Sequence, residues 1–117
     1  VPDAPAIDPI KDPITFDDFS ALDLRAGLVV AAEPHPNADR LLVLQVDIGE
    51  GTPRSIVAGI ASRFEPEALV GRQVVIVANL KPATLRGVMS EGMMLAAGAK
   101  EVVNLCAVDA PPGTVVR

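Results

Sequence analysis

The chain has 117 residues, enough for one domain with a single core, and half of them are hydrophobic, which excludes disorder for the chain as a whole. Only 3% are aromatic, with no Trp or Tyr, so a binder that stacks successive bases on aromatic rings is not expected, and a core of Val, Leu and Ala favours strands. The net charge is −5, but six acids against Lys11 fall within the first 24 residues, and the remainder balances nine acids with nine bases.

Further classes drop out on simple grounds. No apolar run reaches the ~18 residues of a membrane span, and the N-terminus lacks the cationic start and apolar centre of a signal peptide. Cys106 is the only cysteine, so an intrachain disulfide is excluded, and a lone thiol in an apolar run suits a reducing cytoplasm. His35 is the only histidine; with one Cys and no local cluster, no metal site is expected, and no cofactor. The chain starts at Val1, which reads as a fragment of a longer protein or a processed chain.

Residues 1–13 carry Pro2, Pro5, Pro9 and Pro13 and read as an extended linker or tail; residues 14–117 read as the folded domain. Thr15-Phe16-Asp17-Asp18-Phe19 opens a short helix capped by Thr15 or Asp17, with Phe16, Phe19 and Leu22 on one face. Leu24 to Ala32 reads as a strand bent or bulged at Gly27. Pro34 to Asp39 is a polar loop. Leu41 to Asp47 is a strand with Leu42, Leu44 and Val46 inward, and Arg54 to Ile60 is a third. Glu65 to Leu69 starts a short helix with Pro66 in its first turn, ended by Gly71. Gln73 to Ala78 is a fourth strand, and Gly92 to Ala97 a fifth that pairs with Val102 to Val108. Val115 and Val116 add an edge strand. Five or six short strands with one helix between the third and fourth point to a small all-β barrel of the oligonucleotide-binding (OB-fold) type, with N- and C-terminal extensions.

The functional signal lies between Gly71 and Ser90, where the charges are Arg72, Lys81 and Arg86 with no acid. Pro82 and Gly87 punctuate this stretch, which reads as a loop holding an anionic partner. Arg25 points onto the same face from the first strand. Asn37 and Asp39 are cap and turn residues, and the loop also offers Asn37 and Arg40 as further contacts to a partner. Catalysis is not expected: a nucleophile such as Ser90 would need a base, only His35 is available, and nothing places it there. Glu91 reads as part of a polar network or salt bridge rather than half of an acid/base pair.

Together Asp23-Leu24-Arg25-Ala26-Gly27, His35-Pro36-Asn37-Ala38-Asp39-Arg40-Leu41, Gly59-Ile60-Ala61, Val77-Ala78-Asn79-Leu80-Lys81-Pro82, Leu85-Arg86-Gly87 and Ser90-Glu91-Gly92-Met93 resemble the tRNA-binding domain family. That family includes the C-terminal domain of bacterial methionyl-tRNA synthetase, stand-alone tRNA-binding proteins and the chaperone-like CsaA proteins. The lead-in from Asp8 to Phe19 favours the synthetase branch. The resemblance implies an OB-type barrel, a homodimer, and tRNA held by shape and backbone. Arg25, Lys81 and Arg86 would supply counter-charge, and Asn79 and Ser90 neutral hydrogen bonds. It also implies a dimer interface around Phe16, Phe19 and Leu22 and in the C-terminal stretch, at Val103 and Leu105; the apolar C-terminal half points the same way. Three functions stay open: a tRNA-binding and dimerisation module, a dimeriser with negligible RNA affinity, and a chaperone-like peptide binder. The acid-free stretch favours the first, the overall acidity the second, and the intact Asn79-Leu80-Lys81-Pro82 pattern counts against the third.

Overall fold

In the first strand, β1 (Leu24–Pro34), one long segment organises the rest. The computed structural model describes residues 8–98 and 101–117; the first seven residues of the expected tail lie outside the described part. Along one edge β1 pairs with β4 (Gln73–Val77); along the other it pairs first with β10 (Val115–Val116), then with β2 (Leu42–Asp47). A strand that serves three partners must bend. The register with β2 shifts between Val29 and Ala31, so the extra residue is Val30, not the expected Gly27.

Gly27 has a different purpose. A Cβ built on it would lie 2.6 Å from Val46 Cγ1 and 3.2 Å from Ile76 Cγ1. Glycine here lets β1 press against the core side chains of β2 and β4, which a methyl group would push apart.

The antiparallel sheet runs β3 (Arg54–Ala58), β2, β1, β4, β7 (Met93–Met94). It curls until its two ends nearly meet, giving a nearly closed five-stranded OB-like barrel. The seam is closed by few groups. The Ser90 hydroxyl accepts from Val57 N–H at 2.9 Å and donates to the Gly92 carbonyl at 3.0 Å, and Glu91 N–H donates to the Ser55 carbonyl at 2.8 Å. Between the ends lies the core of Val29, Leu44, Val46, Ile56, Val74 and Ile76. Helix α2 (Pro66–Leu69) contributes its fully buried Leu69 to it, with Pro66 in the first turn as expected.

The other elements decorate this body. Helix α1 (Phe16–Ser20) starts with a capping box: Asp18 N–H donates to Thr15 Oγ1 at 3.1 Å, and Thr15 N–H to the Asp18 carboxylate at 3.4 Å. The expected fifth strand is split. Met93–Met94 pairs with β4, while β8 (Ala96–Ala97) pairs with β9 (Asn104–Leu105) as the foreseen hairpin, shorter than expected. Residues 79–90, read from sequence as a loop, contain a second hairpin of β5 (Ala83–Leu85) and β6 (Val88–Ser90).

Gly27→Ala is expected to cost about 1–3 kcal/mol, because Val46 and Ile76 are buried and cannot move aside freely. Urea unfolding measures this; an unchanged midpoint would show that the packing here is looser than described.

Candidate nucleic-acid interface

The β5–β6 hairpin turns through two residues, Arg86 (φ +52°) and Gly87 (φ +92°). Positive φ at both central positions is the type I′ arrangement that suits the twist of paired strands. Gly87 adopts it without cost. Arg86 does so against a steric penalty of roughly 1–2 kcal/mol. The turn is not Asn-Gly and its arms are three residues long, so neither turn chemistry nor alternation marked it in the sequence.

His35 holds this hairpin in place. It is 5% exposed. Its Nδ1 accepts from Asn37 N–H at 2.9 Å, so Nε2 carries the proton and donates to the Leu85 carbonyl at 2.9 Å. One ring therefore shapes the loop after β1 and fixes the residue before Arg86. Arg86 Nη2 then donates to the Asn37 carbonyl at 3.2 Å. Asn37, Ala38, Asp39, Arg40, Leu41 and Arg86 enclose an open concavity of about 420 Å³. The sequence marked Asn37, Arg40 and Arg86 separately; their convergence depends on the histidine, which it read only as part of a shaped loop.

The charges differ in availability. Arg25 is paired with Asp23, and its Nη1 donates to the Gly113 carbonyl at 3.1 Å. Arg54 is paired with Glu50 and donates to the Ala78 and Glu91 carbonyls at 2.6 and 3.1 Å. Hydrogen bonds to these guanidinium groups hold the Asp23 and Glu50 carboxyls below their ordinary values. The stabilisation is present above the usual carboxylate range and is lost as pH falls through the lowered values; at the surface, salt screens it. Lys81, Arg86 and Arg40 are exposed and have no carboxylate partner among the described residues.

Several other expected positions have internal work. Ser90 is 5% exposed and its hydroxyl closes the barrel seam, so it is corrected from a surface contact to a structural staple. Asn79 Oδ1 accepts from Asp23 N–H at 2.8 Å and its Nδ2 donates to the Ala21 carbonyl at 2.7 Å, so its amide binds the α1–β1 connection. Glu91 takes part through its backbone, which meets Ser55 and Arg54. Leu105 is 6% exposed and packs in the core, a correction to its expected interface role, whereas Val103 is exposed. Phe16, Phe19 and Leu22 are exposed and line a largely apolar cleft of about 350 Å³ with Val115 and Val116. Among the described residues no group of three or more His, Cys, Asp or Glu could hold a metal ion, and no helix is long and apolar enough to cross a membrane.

A nearly closed small barrel with a fixed cationic hairpin beside an open groove defines the class: an OB-like domain with exposed cations at one hairpin, unpaired among the described residues. The family follows from comparison. Residues 24–115 match the family model described as "Putative tRNA binding domain", and the chain belongs to that family. It is 53% identical over 106 residues to a methionine–tRNA ligase of Myxococcus xanthus, covering 89% of this chain and 15% of that ligase. It is 50% identical over 111 residues to a methionine–tRNA ligase of Clostridium tetani, covering 92% of this chain and 17% of that one. The chain thus spans about a sixth of these relatives. Among solved structures, a MetRS-related protein from Pyrococcus horikoshii superposes with a TM-score of 0.83 at 35% identity, covering 92% of this chain and all of that one. The chaperone CsaA from Bacillus anthracis gives 0.79 at 36%, covering 91% and 100%.

Replacing His35 by Ala is expected to cost about 1–3 kcal/mol and to speed amide exchange along the β5–β6 ladder. Asn at this position keeps an acceptor for Asn37 N–H but falls short of Leu85, so it should recover part of the stability while the hairpin stays fast. Equal exchange in all three proteins would mean that His35 does not hold the hairpin.

Proposed function

We propose that the chain is a tRNA-binding and dimerisation module, the C-terminal appendix of a methionine–tRNA ligase, that grips tRNA by its backbone while the catalytic body selects the acceptor. The observation that carries this reading is Arg86. A cation sits in a left-handed turn position that favours Asn or Gly, is fixed against Asn37, and lines a groove with Arg40 in a member of a tRNA-binding family. Lys81 adds charge at the base of the same hairpin. Such contacts fix position without reading sequence. The reading places the chain with its partner in the cytoplasm.

The apolar cleft between α1 and β10 supports a homodimer, with a second copy covering Phe16, Phe19, Leu22 and Val115. Phe16, 78% exposed on a helix that buries none of its own residues, is the group with most to gain. A dimer would bring two grooves to one tRNA and raise the effective concentration of the second. A second reading, peptide binding, is favoured by the likeness to CsaA and by the apolar Leu80, Pro82 and Met89 around another open concavity.

With Arg40, Lys81 and Arg86 engaged, the log–log salt dependence of total-tRNA binding should have a slope of roughly −2 to −3 per protomer. Arg86→Asn should weaken binding to all tRNAs and flatten that slope by about one unit, yet relieve the turn and raise the thermal midpoint. If binding and slope are unchanged, the grip lies elsewhere and the dimeriser or peptide-binding reading takes over. Sedimentation equilibrium should give a dimer at micromolar concentration that Phe16→Asp converts to monomer; a monomeric parent chain would overturn the dimer.

A further inference from the structure

The groove does not end at Arg40. Arg40 also lines a second open concavity, of about 400 Å³, with Gly59, Ser62, Arg63, Glu101 and Val102. Backbone joins the two, since Ala61 N–H donates to the Arg40 carbonyl at 3.3 Å. The turn after β3 is itself ordered: Arg63 and Phe64 N–H both donate to the Ile60 carbonyl, at 3.0 and 3.1 Å. Arg63 Nε donates to the Val103 carbonyl at 3.1 Å, which orients the guanidinium and leaves its two Nη groups without a hydrogen-bond partner among the described residues. The ion pairs among those residues use Arg25 and Arg54, so neither Arg40 nor Arg63 is in direct contact with a carboxylate there.

Gly59 forms the bare part of this concavity. It is exposed, its φ is outside the left-handed region, and a Cβ on it would meet only Leu41 Cδ2, at 3.8 Å. Neither backbone conformation nor packing requires glycine here. Its bareness leaves the backbone open to approach in a concavity that Arg40 and Arg63 also line.

We propose that this second concavity is a phosphate-backbone subsite for the RNA strand that leaves the Asn37–Arg86 groove. The strand passes over Arg40 and seats on Gly59 and Ser62, with Arg63 as counter-charge. This rests on the reading that the first groove holds tRNA. A cationic groove that tracks several phosphates grips a strand without reading bases. Glu101 is the acid in the lining, and it repels a phosphate placed there.

The test is total-tRNA binding by the 117-residue chain at two salt concentrations, with the thermal midpoint measured on every variant. Gly59→Ala should leave the midpoint unchanged or raised and weaken binding; Gly59→Leu should weaken it further, by about tenfold. Arg63→Ala should weaken binding about fivefold and flatten the salt slope by about 0.7–0.9. Arg63→Lys keeps the charge and should restore most of both, even if loss of the Val103 contact lowers the midpoint. Glu101→Gln should tighten binding. Arg86→Asn is the control for the first groove. If it weakens binding while Gly59→Leu, Arg63→Ala and Glu101→Gln do not change it, the second subsite is overturned and the first groove stands. If all four variants bind as the parent does, both fall. Loss of binding in Arg63→Ala that Arg63→Lys does not restore would also overturn the subsite.

Discussion

The barrel seam is the constraint on which the rest depends. A curled sheet leaves two edges with unpaired backbone groups, and here the edge of β3 is met, among the described residues, by one acceptor, the Ser90 hydroxyl, and one donor, the Glu91 N–H. The Ser90 hydroxyl does what a ladder bond would do, accepting from Val57 and donating to Gly92. That staple also fixes the base of the β5–β6 hairpin, because Ser90 is the last residue of β6. His35 fixes the other end by its bond to Leu85. A hairpin with three-residue arms, which alone would be marginal, is thus held at both ends by buried polar groups. The cation at its tip inherits that order.

Charge placement then reconciles an acidic chain with the polyanionic partner proposed for it. The acids concentrate in the N-terminal stretch, and Asp23 and Glu50 are spent on Arg25 and Arg54, which brace β10 and the seam. Three of the arginines left without a carboxylate among the described residues, Arg40, Arg63 and Arg86, line adjoining concavities, while Arg72 bonds Asn104 and Arg117 lines the cleft between α1 and β10. Net charge describes approach from a distance; within about one Debye length, ~10 Å at 0.1 M salt, the local field decides.

Much of the fold was legible in the residues. Alternation gave β2, the Thr15 cap gave α1, Pro66 gave α2, and the apolar runs gave the sheet. The bulge was misplaced because glycine has two uses in a strand, a bend and a close approach, and the sequence cannot separate them; contact with Val46 does. The hairpin was missed because Arg-Gly is a poor type I′ signature. The site was legible as residue types in order. It was not legible as geometry: Ser90 and Asn79 look like surface polar residues, and only tertiary contacts show them bonded internally, while His35 gains its role from a partner 50 residues away.

The central claim is that anionic ligand is held where the hairpin tip meets the loop after β1. Backbone amide chemical-shift mapping on titration with tRNA tests it most directly. The account predicts that the shifts cluster at Asn37, Arg40, Lys81, Arg86 and Gly87 and fade with salt. Shifts confined to α1, β10 and the start of β1, with these five amides unmoved, would contradict it.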